Sequence, residues 1–163
     1  LNAAGVVTHY LGADTERGTM DVRPATPFGK GLEVICRYRA VGSFLRRYGA
    51  YVKEGDLLDA YVEATLKDDE RNDPLITVEG LEALGIMTAE QFSSMKASTR
   101  KITGLISDVI REKGLELYDI KLEFGTDPEG KVMLIDEIAS GNMRVYQNGQ
   151  VVDPLDLTEI LCR

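Results

Sequence analysis

The chain predicts an α+β domain: an antiparallel sheet with flanking helices. Three observations carry that expectation. Residues 32–39 and 118–124 alternate with the two-residue period of a strand, residues 89–113 keep helical spacing, and Asp127-Pro128-Glu129-Gly130 is a turn placed between two strand-like runs. At 163 residues and 44% hydrophobic, the chain is long enough to bury a real core. Its net charge of −8 argues against a general nucleic-acid surface. No apolar run is long enough to cross a bilayer, and the start lacks the charged and apolar regions of a signal peptide. Cys36 and Cys162 form neither a metal-ligand spacing nor a disulfide framework, so a reducing, cytoplasmic setting is expected.

Taken in order, LNAAG reads as a helix end capped by Gly5. Residues 6–10 fit a short strand, and 14–31 a turn-rich connection holding Pro24, Pro27, Gly29 and Gly31. In LEVICRYR, Leu32, Val34, Cys36 and Tyr38 share one face, and Glu33, Ile35, Arg37 and Arg39 the other. Gly42-Ser43 opens a short helix closed by Gly49. Residues 59–67 form a strand with Val62, Ala64 and Leu66 on one side, DDERNDP is a polar turn, and 78–84 reads as a helix. Thr88 and Gln91 make a capping box for the helix over 89–113, whose stripe is Phe92, Met95, Thr99, Ile102, Ile106 and Val109. Gly114 stops it.

The next stretch carries the chemistry. With a four-residue loop at 127–130, Thr126 lies opposite Lys131 and Lys121 opposite Asp136. Asp119, Lys121, Glu123, Leu134 and Asp136 then share a face, with Glu123 and Asp136 diagonal neighbours roughly 7–8 Å apart. Carboxylates and a lysine clustered there suit a metal and phosphate site; an exposed, salt-bridged strand face is the plainer alternative. Arg37 with Ser43 at a helix start suits an anion, against a surface arginine and an ordinary cap. Lys67-Asp68-Asp69 with Asp73-Pro74 suits an amino-acid ligand or a metal, against a solvated loop. His9 has no partner in view, and no Ser/His/Asp or Cys/His arrangement suggests covalent catalysis.

Together, CRYRAVGSFLRR, KDDERNDP, DIKLEFG and DE followed by Arg144 resemble the SAICAR synthetase family, four blocks in order over residues 15–146. The resemblance implies the larger lobe of a two-lobe ATP-binding fold. It implies a ligase of de novo purine biosynthesis joining L-aspartate to the carboxylate of the imidazole nucleotide CAIR, giving SAICAR, ADP and phosphate. ATP and Mg2+ are the implied cofactors, and CAIR, L-aspartate and ATP the small-molecule partners. No nucleic acid or membrane is implied, and a homodimer is allowed. Glu123 and Asp136 would hold the metal, with Lys121 as a third catalytic residue contacting phosphate or the substrate carboxylate. Arg37, Ser43 and Arg144 would hold the ribose phosphate of CAIR. Lys67, Asp69 and Asp73 would line the substrate pocket, and the adenine connection would fall near Met20 and Val22.

Two departures stand out. Where family members carry S-P-D after the D-E pair, this chain has Ala139-Ser140-Gly141, and Tyr146-Gln147 replaces a tryptophan-aspartate. The family's glycine-rich N-terminal lobe has no counterpart here, so the 163-residue chain is expected not to turn over ATP alone. A related amide-forming ligase on another carboxylate, or a non-catalytic nucleotide- or phosphate-binding module, are the alternative readings.

Overall fold

A computed structural model gives the structure, which describes residues 1–162. A 3-10 turn over Asn2–Ala4 ends at Gly5, whose φ of 72° is the left-handed geometry of a cap. Then follow β1 (Tyr10–Asp14), β2 (Thr19–Val22), β3 (Thr26–Pro27), β4 (Leu32–Arg39), α1 (Gly42–Tyr48), β5 (Leu57–Leu66), β6 (Leu75–Ile76), α2 (Val78–Ala83), α3 (Ala89–Glu112), β7 (Glu116–Thr126), β8 (Val132–Leu134), β9 (Met143–Gln147), β10 (Gln150–Val151) and α4 (Pro154–Cys162). The expected α+β class holds. The chain divides into two compact units of three stretches each, and β4, β5, β7 and α3 contribute residues to both.

The first unit comprises Leu1–Val34, Ala64–Ser98 and Leu122–Glu137. Here β1 and β2 form an antiparallel hairpin, β6 pairs with Ala64 and Thr65 of β5, and β3 and β8 pair with 124–126 of β7. Phe28, Leu32, Val34, Leu81, Met95, Leu122, Phe124 and Leu134 are buried. Thr88 and Gln91 cap α3 reciprocally, each backbone N–H meeting the other's side-chain oxygen at 2.9 and 3.2 Å.

The second unit comprises Ile35–Glu63, Thr99–Lys121 and the chain from Ile138 on. Its strands run in the order β10-β9-β7-β4-β5, and β7 and β9 are antiparallel with Asp119 opposite Arg144. Ile35, Cys36, Val62, Ile102, Ile106, Ile110, Ile120, Val145 and Leu157 are buried.

Several expectations change. The strand placed at 6–10 begins at Tyr10, leaving only a single bridge from Thr8 to Leu134. The connection at 14–31 contains β2 and β3, because Asp14 Oδ1 accepts the N–H groups of Glu16 and Arg17 and closes a tight turn. In β4 both faces are buried, so its alternation does not separate core from solvent. On α3, Val109 is 53% exposed and Ile110 takes the core position, since 106 to 110 continues the i+4 step. Gly49 ends α1 in right-handed geometry, and Ser43 lies inside the first turn behind the cap position Val41.

The hairpin register shifts by one residue. Its ladder pairs Phe124 with Leu134, Gly125 with Met133 and Thr126 with Val132, so the loop runs from Asp127 to Lys131. Asp127 supplies the cause. Its Oδ1 accepts the N–H groups of Glu129 and Lys131 at 3.0 and 2.8 Å, and its own N–H donates to the Lys131 carbonyl at 2.9 Å. Gly130, at φ 84°, completes a loop one residue longer than expected. Leu134 therefore lies opposite Phe124 and is buried, rather than sharing a face with Glu123.

Candidate functional site

Two charged clusters, one per unit, hold most of the site residues named from sequence. The first is built on Lys67, Glu123 and Asp136 of the first unit. Glu123 projects from β7 and accepts a hydrogen bond from Lys67 Nζ at 2.7 Å. Lys67 follows the end of β5, where its N–H meets the Gly31 carbonyl at 3.1 Å. Gly31 is fixed by this approach: at φ +125°, a Cβ there would meet the Lys67 side chain at 3.1 Å. The register shift takes Asp136 off the ladder, which ends at Leu134; the Ile135 N–H donates to the Glu123 carbonyl and Asp136 sits in the bend beyond. Lys121 and Asp136 are thus not opposite one another in the ladder. The bend nevertheless leaves Asp136 within electrostatic reach of Glu123 and Lys67.

Asp136 is pushed up to about 6. Burial is the main cause, followed by the hydrogen bond and charge of Glu137 and the charge of Glu123. Glu137 moves down, first through that same hydrogen bond, so as the pH falls the first proton taken up by the pair goes to Asp136. Lys67 moves up, held by Glu123 and helped by Glu33 and Asp136. This is a site with surplus negative charge. Among the described residues no three of His, Cys, Asp and Glu are arranged to hold a metal by themselves. Glu123 and Asp136 are hard oxygen donors of the kind that could hold part of a Mg2+ shell.

Elsewhere in this unit, Asp73 Oδ1 accepts the Asp68 N–H at 2.9 Å, and Asn72 and Asp73 both take positive φ, so Asp73 shapes its own loop. Asp69 is exposed at the start of a 3-10 turn capped by Asp68. Met20 and Val22 are exposed on β2.

The second cluster lies in the second unit and brings together Arg37, Ser43 and Arg144. Asp119, directly opposite Arg144 in the β7–β9 ladder, accepts from Arg144 Nη1 at 2.6 Å and from Arg37 Nη1 on the same oxygen. Arg37 is 1% exposed. Its Nη2 donates to Ser43 Oγ at 2.8 Å and to Glu63 Oε1 at 2.9 Å, its Nε reaches Glu63 at 3.1 Å, and its Nη1 also reaches the Val41 carbonyl at 3.4 Å. Every N–H of that guanidinium thus has a protein partner. Arg37 is therefore not the surface arginine of the plainer reading: it is buried, with Ser43 half-buried beside it and Arg144 the more exposed of the two arginines. Burial raises the pKa of Asp119, while Arg144 and Arg37 pull it back. The guanidinium of Arg144 lies across Gly42, where a Cβ would fall 2.5 to 2.7 Å from its atoms. Lys121 is half-buried on β7 of this unit, and the cation bonded to Glu123 is Lys67.

Sequence reasoning passed over Glu137, Glu63, Arg47 and the ligating role of Asp119. A signal existed for Glu63: like Arg37 it stands inside an apolar strand run, and opposite charges there pair rather than stay alone.

The SAICAR synthetase family model matches residues 1–156, and the chain belongs to this family. A phosphoribosylaminoimidazole-succinocarboxamide synthase from Clostridium tetani is 56% identical over 162 residues, covering 99% of this chain and 71% of that protein. One of the same name from Thermotoga petrophila is 41% identical, covering 94% of this chain and 65% of its own length. The chain therefore spans about two thirds of these relatives. A solved SAICAR synthetase superposes with TM-score 0.87 at 38% identity, over 98% of this chain and 78% of that one. Another, in complex with ADP, gives 0.82 at 28% identity over 98% and 70%.

Proposed function

We propose that this protein acts in ATP-dependent ligation of L-aspartate to the carboxylate of CAIR, giving SAICAR, ADP and phosphate. The observation that carries the reading is the carboxylate cluster of Glu123, Asp136 and Glu137, held in a surplus of negative charge within a chain of the SAICAR synthetase family. A carboxylate is a poor acyl donor. ATP's γ-phosphoryl group goes to a CAIR carboxylate oxygen, releasing ADP; the aspartate amine then attacks the acyl carbon, loses a proton and expels phosphate.

The residues divide this work by charge. Glu123 and Asp136 would hold Mg2+, which supplies neutralisation of the charge that develops on the transferring phosphoryl group. Lys67, released from Glu123, faces anionic substrate groups, and Asp69 and Asp73 shape the loop beside it in sequence. Lys121 contacts phosphate or the substrate carboxylate. Arg144 and Ser43 take the ribose phosphate of CAIR, with Arg37 fixing both. Met20 and Val22, exposed and apolar on β2, suit the adenine end of the nucleotide. No helix among the described residues is long and apolar enough to cross a membrane. A cytoplasmic enzyme, with a homodimer allowed, fits that reading.

The test is product formation by the complete protein. ADP release should require CAIR and L-aspartate together, with one SAICAR per ADP. ATP turnover without aspartate incorporation, or a clear preference for another imidazole or pyrazole carboxylate over CAIR, would overturn the assignment. The second outcome would point to Ala139-Ser140-Gly141 as the reason.

A further inference from the structure

Four neighbouring strands carry charges of alternating sign at their meeting point. In the order β9-β7-β4-β5 these are Arg144, Asp119, Arg37 and Glu63, and Arg47 from the last turn of α1 extends the row. The links are continuous. Arg144 donates to Asp119 at 2.6 Å, Asp119 also accepts from Arg37, and Arg37 donates twice to Glu63. Arg47 Nη2 reaches both oxygens of Glu63 at 2.5 Å. The side chains of Arg37, Glu63 and Asp119 are 1%, 2% and 5% exposed, whereas Arg47 and Arg144, at the two ends, are 27% and 45% exposed.

Stability does not explain such a row. Buried ion pairs roughly break even against apolar residues of the same volume, because desolvation offsets their attraction. What the row does is fix direction. The guanidinium of Arg37 is a rigid fork. With Nε and Nη2 tied to Glu63, its Nη1 is aimed at Asp119 and its Nη2 at Ser43, and Asp119 in turn holds Arg144. Three cations against two anions leave the row with a surplus positive charge, suited to an anion at its Arg144 end.

We infer that Glu63 and Arg47 are positioning residues of the phosphate site, acting through Arg37 and Asp119 on Arg144 and Ser43. Arg47 and Arg144 are four links apart along this row, so Arg47 tunes the affinity for the phosphate-bearing substrate without touching it. The inference rests on the reading of Arg144 and Ser43 as phosphate ligands.

Steady-state kinetics of Arg144→Ala, Glu63→Gln, Arg47→Ala and Arg47→Lys in the complete protein test it. Glu63→Gln and Arg47→Ala should raise KM for CAIR by roughly 2- to 30-fold, the range of coupling carried through such networks. Glu63→Gln should have the larger effect, with kcat and KM for ATP within about twofold of the parent. Arg47→Lys, which keeps the charge, should restore most of the loss. If Arg144→Ala raises KM for CAIR while Arg47→Ala leaves it unchanged, or moves both KM values and kcat together, the positioning role is wrong and the phosphate reading survives. If Arg144→Ala itself leaves KM unchanged, the phosphate reading fails and this inference with it. Should Glu63→Gln not fold, the half-exposed Arg47 pair of variants decides alone.

Discussion

The two charged clusters solve opposite problems with the same residue types. In the first unit, Glu123, Asp136 and Glu137 outnumber Lys67, and the excess is relieved only as the pH falls through about 6, where Asp136 takes up a proton. In the second unit, Arg37, Arg47 and Arg144 outnumber Glu63 and Asp119, and the excess is left as charge, because a guanidinium does not give up its proton. The first cluster is thus adjustable and suited to a cation that comes and goes. The second is fixed, buried at its middle and open at its ends, and suited to hold an anion in one place. A carboxylate cluster can shed part of its charge by taking up a proton in mild acid; an arginine cluster has to be held in place by counter-charges.

The contrast is broken most sharply at the first cluster. Glu123→Gln and Asp136→Asn should each lower kcat/KM of the complete enzyme by at least about a hundredfold, since each replaces a charged carboxylate of the proposed metal shell by a neutral, weaker amide oxygen. Neither should unfold the chain, because each relieves repulsion in the metal-free protein. Unchanged turnover at ordinary Mg2+ concentration would show that the cluster serves another purpose.

How much of this was legible in the chain follows from what each signal depends on. The capping box at Thr88 and Gln91, the β4 limits and the identity of β7 rest on local chemistry, and the structure has them as read. The hairpin register does not, because Asp127 decides between a four- and a five-residue loop through two side-chain hydrogen bonds that the composition of the turn leaves open. That single residue carries Asp136 off the ladder. Its company with Glu123 comes from the bend after Leu134, a tertiary feature without a sequence pattern. Arg37 shows the same limit. Its presence in a strand marks it as unusual, but only the folded sheet reveals that Glu63, twenty-six positions away, holds it.

Gly42 sharpens the contrast at the second cluster. It has φ +55°, and a Cβ there would collide with the Arg144 guanidinium. Gly42→Ala should raise KM for CAIR by roughly tenfold by displacing Arg144, and should cost about 1 kcal/mol of stability through its left-handed backbone. Equal changes in the KM values for CAIR and ATP would mean that the substitution disturbs the fold and not the anion seat.

The smallest effect is a pH dependence at the first cluster. Asp136 rises from an ordinary 3.8 to about 6 in the folded protein. Between those values the folded state holds a proton that the unfolded chain has released. Proton linkage therefore makes this group's contribution greatest below about pH 4 and removes it progressively as the pH rises through 6. Asp136→Asn keeps a neutral, hydrogen-bonding side chain at every pH, so the variant should match the parent near pH 4 and exceed it in Tm above pH 7. Glu137 works the other way, since its lowered pKa favours the folded state above its unfolded value and fades in acid. The difference between parent and variant is the quantity to read. Mg2+ with nucleotide at pH 8 should narrow that difference, because a cation beside Asp136 supplies the compensation that the shared proton gives in acid. Lys67→Met should widen it by removing a positive charge hydrogen-bonded to Glu123. A parent and an Asp136→Asn variant with the same Tm at pH 4 and pH 8 would mean that Asp136 is ionised and comfortable in the folded chain, and the adjustable character of the first cluster would be lost.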